Sequence, residues 1–355
     1  MSQALDALST AGTGAGPSAG SGVAFYGPPR TTPEGAFPQD GPPEAQLRFL
    51  LAYAILAPSV FNSQPWRFVV EGAEARLYAD RSRRLPAFDP LGRELTLSCG
   101  AALFNLRMAA RHFGFDVAVD VLPEGPGADL LARLHLRAPR PALPEERLLF
   151  QAIRHRHTVR TPFVEATVPG PVFYGLSLAA EAEGARLVVF TEETQRAALA
   201  VLLAEGIRKQ AGDPRVTADI EQWLRHTGDP RRDGVPDVVQ GKWDRRAGRP
   251  IPAEHLAART AALVAEGPAV LVLATNADDP AAWLAAGQAM ERVLLLAAAQ
   301  GLQASFHNAL VEVAPLRARL AHAAGVRYPQ AVLRVGYPDE DPGTPRRAVR
   351  DVVLS

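Results

Sequence analysis

The 355-residue chain carries a single cysteine, Cys99. An intramolecular disulfide and a thiolate-rich zinc site are both excluded, and a reducing, cytoplasmic setting is the expectation. Net charge is lacking too. Lys plus Arg and Asp plus Glu each total 38, so the chain has no overall basic footprint, and no nucleic-acid partner is expected. Apolar runs are too short or too interrupted to cross a bilayer. The opening MSQALDALSTAGTGAG has no basic stretch leading into an apolar one, so neither a membrane partner nor a secretory signal is expected. What is present is ordinary for a globular protein: 47% hydrophobic and 21% charged residues, in a chain long enough for two subdomains.

Residues 1–43 are rich in Gly, Pro, Ser, Thr and Ala, which predicts a flexible arm. Gly12, Gly14 and Gly16 sit in it without a preceding strand or a following Gly-Lys-Ser/Thr, so they do not make a phosphate loop. Residues 44–150 read as a first half. EAQLRFLLAYAILAP has helical spacing and stops at Pro58, and RFVVEGAEARLYAD reads as a hairpin about Glu71-Gly72. CGAALFNLRMAARHFGF is an apolar helix with Gly114 just past its end, and DVAVDVL and LLARLHL alternate as strands. Residues 151–355 repeat this plan as a second half, with strands RLVVF, AVLVLAT and AVLRVGYP and the helix WLAAGQAMERVLLLAAAQGL. Gly100 and Gly114 are 14 residues apart, as are Gly287 and Gly301. Matched small residues would let the two apolar helices approach closely, which points to a duplication. The fold class expected is α+β, with mixed sheets around two buried helices. A polar excursion at about 205–252, broken by Pro and Gly, keeps Trp223 and Trp243, which favours a packed lid.

Three segments could carry chemistry. One is the turn Pro58-Ser59-Val60-Phe61-Asn62-Ser63-Gln64-Pro65-Trp66. The second is the basic run Arg154-His155-Arg156-His157-Thr158-Val159-Arg160, where arginines at i and i+4 on a helical face could clamp a phosphate. The third is Thr344-Pro345-Arg346-Arg347 after the strand ending Gly336-Tyr337-Pro338. Taken singly, these are a polar turn around a buried Trp and two solvated basic stretches. No Ser-His-Asp or Cys-His constellation stands out, so no protein group is assigned a catalytic role. The basic surroundings of His155 and His157 argue against a metal cation there.

Together the three segments resemble the nitroreductase family of flavoproteins, which pairs a Pro-Ser-Ser-x-Asn-x-Gln-Pro-Trp turn with an Arg-x-Ser-x-Arg/Lys segment and ends in a basic residue after a Gly-Tyr-Pro strand. The order, turn first and basic segment at the start of the second half, is similar to the fused Acg-like branch. The resemblance implies an internal pseudo-dimer, monomeric or weakly dimeric, holding one FMN between its halves. It implies NAD(P)H as the candidate electron donor, hydride transfer through flavin N5, and a nitroaromatic, quinone or similar small molecule as acceptor. Arg156 and either Arg346 or Arg347 would take the FMN phosphate. His157 and Thr158 would line the phosphate and ribityl side, and Arg160 would stand near the ring. Pro58, Ser59, Asn62 and Gln64 would come from the other half. Val60 stands where the family has a second Ser, and Ala348 where it has Pro. Ser305-Phe306-His307-Asn308 occupies the place of its Glu-Gly beside N5. A non-catalytic FMN-sequestering protein and a biosynthetic FMN-dependent dehydrogenase are the alternative functions. Asp80, Asp89 and Cys99 are expected to be structural.

Overall fold

The computed structural model describes residues 33–226, 228–236, 243–244, 249–339 and 343–354. The expected arm over 1–32 and the side chain of Trp243 lie outside the described residues. Ordered structure begins ahead of residue 43. A 3-10 turn at Glu34–Ala36 delivers Phe37 onto Phe113, ring centroids 4.4 Å apart. The side-chain amide of Gln46 donates to the carbonyls of Pro38 and Gln39 at 3.2 and 2.9 Å. One half-buried aromatic anchor outweighs the loop-like composition around it.

The first half runs α1 (Pro43–Ala54), β1 (Trp66–Glu71), β2 (Glu74–Ala79), α2 (Arg93–His112), β3 (Phe115–Val121), β4 (Leu130–Pro139) and α3 (Pro144–Ala152). Its antiparallel sheet has the order β1-β2-β4-β3, and Gly72, at φ 54°, turns the first hairpin. The second half runs α4 (Gly170–Glu181), β5 (Arg186–Phe190), α5 (Glu193–Ala211), α6 (Pro214–Gln222), α7 (Ala253–Glu266), β6 (Ala269–Thr275), α8 (Pro280–Ala299), β7 (Gln303–Phe306), α9 (Ala309–Glu312), α10 (Ala314–Ala324) and β8 (Tyr328–Gly336). Its sheet, β7-β8-β6-β5, is also antiparallel. Every residue of β6 is buried, because helices cover both faces of this sheet. That is why AVLVLAT reads as an unbroken apolar run.

The two sheets share one core built around α2 and α8. These helices cross at the matched glycines. A Cβ on Gly100 would lie 2.3 Å from the carbonyl oxygen of Leu284, and one on Gly287 would lie 2.1 Å from that of Leu97. Glycine inside a helix costs roughly 0.5–1 kcal/mol relative to alanine, and backbone-to-backbone contact between the halves is what it makes room for. The chain then returns to the first half. Phe68 of β1 donates its N–H to the Val352 carbonyl and accepts from the Leu354 N–H, both at 2.8 Å. The last residues therefore belong spatially with the first sheet rather than with residues 151 onward.

Candidate functional site

Where the halves meet, α1 ends and the chain must reverse before β1. Phe61, Asn62 and Gln64 adopt positive φ angles of 45°, 53° and 51°, a region that non-glycine residues enter only when held there. Side chains hold them. Ser59 Oγ accepts the Gln64 N–H at 2.9 Å, and Trp66 is fully buried as an anchor. Asn62 Nδ2 donates to the carbonyls of Gly234 at 2.8 Å and Pro345 at 2.9 Å, while its Oδ1 accepts from Arg346 Nη1 at 3.1 Å. Gln64 Nε2 donates to the Arg232 carbonyl at 2.9 Å, and its Oε1 accepts the Arg347 N–H at 2.8 Å. The turn thus ties the excursion and the C-terminal tail to the first half.

The basic run is not a helix with arginines one turn apart. The helix α3 stops at Ala152, and Thr158 pairs with Ala304 beside β7, with the Val159 N–H donating to the Ala304 carbonyl at 2.9 Å. This extended path separates its side chains. Arg154 turns outward to the Tyr53 hydroxyl, 2.8 Å from Nη2. Arg156 turns inward, its Nη2 donating to the Leu56 carbonyl at 3.1 Å and its Nε lying 3.6 Å from Glu291 Oε1. Arg346 Nη2 donates to the same Leu56 carbonyl at 3.2 Å. Two guanidiniums, one from each end of the second half, thereby converge on one backbone oxygen.

A cavity of about 460 Å³ opens here. Pro58, Ser59, Asn62, Thr158, Arg160 and Arg346 line one end of it. Arg160 forms no ion pair among the described residues, and its nearest acceptor is the Thr158 carbonyl at 3.4 Å. Burial, and then the charge of Arg156, pull its pKa down to about 10, so it remains a cation at neutral pH. Arg156, His157, Gln64 and Arg347 stand behind this lining. His157 is buried, its N–H donating to Gln303 Oε1 at 3.0 Å, and Arg347 turns to the carbonyls of Gln64 and Asp351.

Apolar side chains of α5, α6 and α7, among them Leu203, Ile207, Ile220 and Leu256, wall the other end. The excursion begins later than expected, because α5 runs unbroken to Ala211. It packs against the first half. Trp223 is buried with Leu85, Phe88 and Val216, and Asp219 Oδ2 accepts the N–H groups of Ala87 and Phe88 at 2.6 and 3.0 Å. Arg225 and Arg83 both pair with Asp233.

Two more buried polar residues belong to the lining: Glu94, which had no assigned role in the sequence, and His307, from the segment standing in the place of the family's Glu-Gly. Glu94 accepts from Arg93 Nη2 at 2.6 Å and from Asn308 Nδ2 at 3.0 Å. Burial raises its pKa against the pull of Arg93. His307 donates its N–H to the Val332 carbonyl at 2.9 Å, and burial with the nearby Arg334 charge pushes its pKa down to about 3. Its ring is neutral at physiological pH. Asp80 pairs with Arg67 at 2.8 Å, Asp89 accepts the Leu95 N–H at 3.0 Å, and burial pushes the Cys99 thiol up, all structural roles. Among the described residues no three His, Cys, Asp or Glu side chains gather as a metal site, and no helix is long and apolar enough to cross a membrane.

An α+β fold with a built cavity lined from both halves defines the class, and relatives give the family. "Putative NAD(P)H nitroreductase Rv3131" of Mycobacterium tuberculosis H37Rv is 32% identical over 326 residues, 88% of this chain and 92% of that protein. "Putative NAD(P)H nitroreductase acg" of the same strain is 31% identical over 317 residues, 86% and 94% of the two chains. The chain belongs to the nitroreductase family. Among solved structures, the FMN-dependent nitroreductase NfnB from Mycobacterium smegmatis, in complex with NADPH, aligns with a TM-score of 0.40 and 16% identity over 59% of this chain and 98% of that one. No protein-family model matches the sequence.

Proposed function

We propose that the chain is an FMN-dependent oxidoreductase that carries hydride from NAD(P)H to a nitroaromatic, quinone or similar small acceptor, working as a monomer with one flavin site. The observation that carries this reading is Arg160, a cation with no ion pair among the described residues, lining the same cavity as Arg346. An exposed arginine would be solvated. One half-buried in a cavity wall beside the charge of Arg156 favours an anionic ligand. The names of the two mycobacterial relatives support the nicotinamide donor.

FMN, when bound, supplies the two-electron chemistry at N5. The protein's residues bind and orient it. Arg346 is proposed for the phosphate, with Thr158 and Ser59 beside it and Arg156 adding its charge from behind the lining. Arg160 is proposed for the ring end, where a fixed cation favours the reduced, negatively charged form. Asn62 and Gln64 hold the turn, and through it the tail that carries Arg346. The lid keeps water from the apolar end, where the acceptor is proposed to sit.

The latch at Asp219 favours a second reading, in which a closed lid sequesters FMN without turnover. One experiment separates the two. The absorption spectrum of the purified protein is recorded, and NADPH and NADH are then added without oxygen. Flavin bands that bleach within seconds are expected of a reductase. Bands that persist favour sequestration or a dedicated dehydrogenase. A colourless protein that takes up no added FMN would overturn both.

A further inference from the structure

Glu291 lies on α8, fully buried among the elements that carry the arginines. The basic segment presents Arg156 to it, with Nε 3.6 Å from Oε1. The tail contributes the charge of Arg346, and α2 contributes the polar Asn105. On its own helix, the neighbouring Arg292 turns the other way, to Glu145 and Glu183 at 2.6 and 2.9 Å. His157, beside Arg156, turns its Nδ1 to the His155 carbonyl at 3.0 Å. Asn105 is the polar neighbour that Glu291 leans on, and neither carboxylate oxygen is within hydrogen-bonding geometry of a guanidinium. A carboxylate placed for structural pairing would be gripped by the guanidinium at its side. Here both guanidiniums instead donate to the Leu56 carbonyl, and Glu291 offers them charge without a hydrogen bond.

We propose, building on the FMN reading above, that Glu291 is an exchangeable counter-charge: it takes up a proton from solvent when the flavin phosphate reaches Arg346 and returns it on release. The physical reason is competition for the same cations. A buried carboxylate stays ionised only while nearby positive charge offsets its lost hydration. Burial pushes Glu291 up to about 7, against the opposing pull of Arg156, Asn105 and Arg346. A phosphate dianion beside Arg346 spends part of that pull, and the carboxyl moves higher still. Between the two midpoints the complex holds a proton that the free protein does not. Affinity therefore falls as pH rises, by at most about tenfold per pH unit.

The test titrates the full chain with FMN between pH 7.5 and 9, where the flavin phosphate is already largely dianionic. Flavin fluorescence gives Kd, and an indicator dye in weak buffer gives proton uptake. At pH 8 uptake approaching one proton per FMN is expected, with Kd rising several-fold per pH unit. Glu291→Gln should abolish the uptake, flatten the profile and bind more tightly than wild type at pH 9. Riboflavin, which lacks the phosphate, should take up little. One-to-one FMN binding with no uptake and a flat profile would overturn the proposal and leave the cofactor reading standing. Uptake retained in Glu291→Gln would also overturn it. If that variant does not fold, equal uptake with FMN and riboflavin does so. Absence of FMN binding would sink the cofactor reading and this proposal together.

Discussion

Replacing Gly100 with alanine sets a methyl group against backbone, where nothing can rotate away. The added carbon would stand 2.3 Å from the Leu284 carbonyl oxygen, 3.0 Å from Gly287 Cα and 3.2 Å from the Gln288 nitrogen. Relief requires α2 and α8 to separate by about an ångström along a crossing that both halves share. Overpacking of this kind costs roughly 1–3 kcal/mol, and the upper end applies when the obstacle is main chain. Better helix propensity returns up to about 1 kcal/mol, so a net loss of about 2 kcal/mol or more is expected. Gly175→Ala is the control. It lies in α4, and its new carbon would meet only a side-chain methyl of Leu296 at 3.9 Å, so stability should be unchanged or rise by about 0.5–1 kcal/mol. Urea unfolding of the three proteins, followed by tryptophan fluorescence, reads both effects. A Gly100→Ala protein as stable as wild type would refute the close crossing.

Arg346→Gln should weaken FMN binding roughly 10–100-fold, the worth of one or two charge-assisted contacts, whereas Arg347→Gln should stay within about threefold; fluorescence titration distinguishes them. Asp219→Ala leaves the Ala87 and Phe88 N–H groups without their acceptor, about 1–3 kcal/mol of lid closure; flavin release measured by stopped flow should quicken at least fivefold. Folded His307 resists protonation down to about pH 3, while the unfolded residue titrates near 6.5. Its contribution is therefore complete above 6.5 and lost as pH falls towards 3, at no more than about 1.4 kcal/mol per pH unit. Glu291 runs the other way. Its folded pKa is raised, so its unfavourable contribution is relieved as pH falls from 7 towards 4.5. Urea midpoints of His307→Gln and wild type across pH 4–7 separate the two, and a constant difference between them would contradict the His307 assignment.

Much of the fold was legible because apolar periodicity marks what is buried. The helices α2 and α8, the hairpin at Gly72 and the buried strand β6 all follow from local pattern. The first turn of α2 was not legible. Arg93, Glu94, Thr96 and Ser98 look like a solvated stretch, yet all are buried, because partners as distant as Gln330 and Asn308 satisfy Arg93 and Glu94. Nor could spacing decide between Arg346 and Arg347. Their orientations are set by Asn62 and Gln64, nearly three hundred residues away. Arg160 and Arg156 were named on a family pattern, but the extended path that sends one to the cavity and the other to Glu291 depends on pairing with β7. Long-range polar contacts leave no periodic trace in a sequence.

The most direct measurement of the central idea, one flavin held between the halves of a single chain, is the binding stoichiometry. FMN is titrated into purified protein whose mass in solution has been determined, and the end point is read by fluorescence quenching. One FMN per chain is predicted, with the chain monomeric and with saturation lost in the Arg160→Gln, Arg346→Gln double variant. Two flavins per chain, one flavin per two chains, or binding untouched by the double substitution would contradict it.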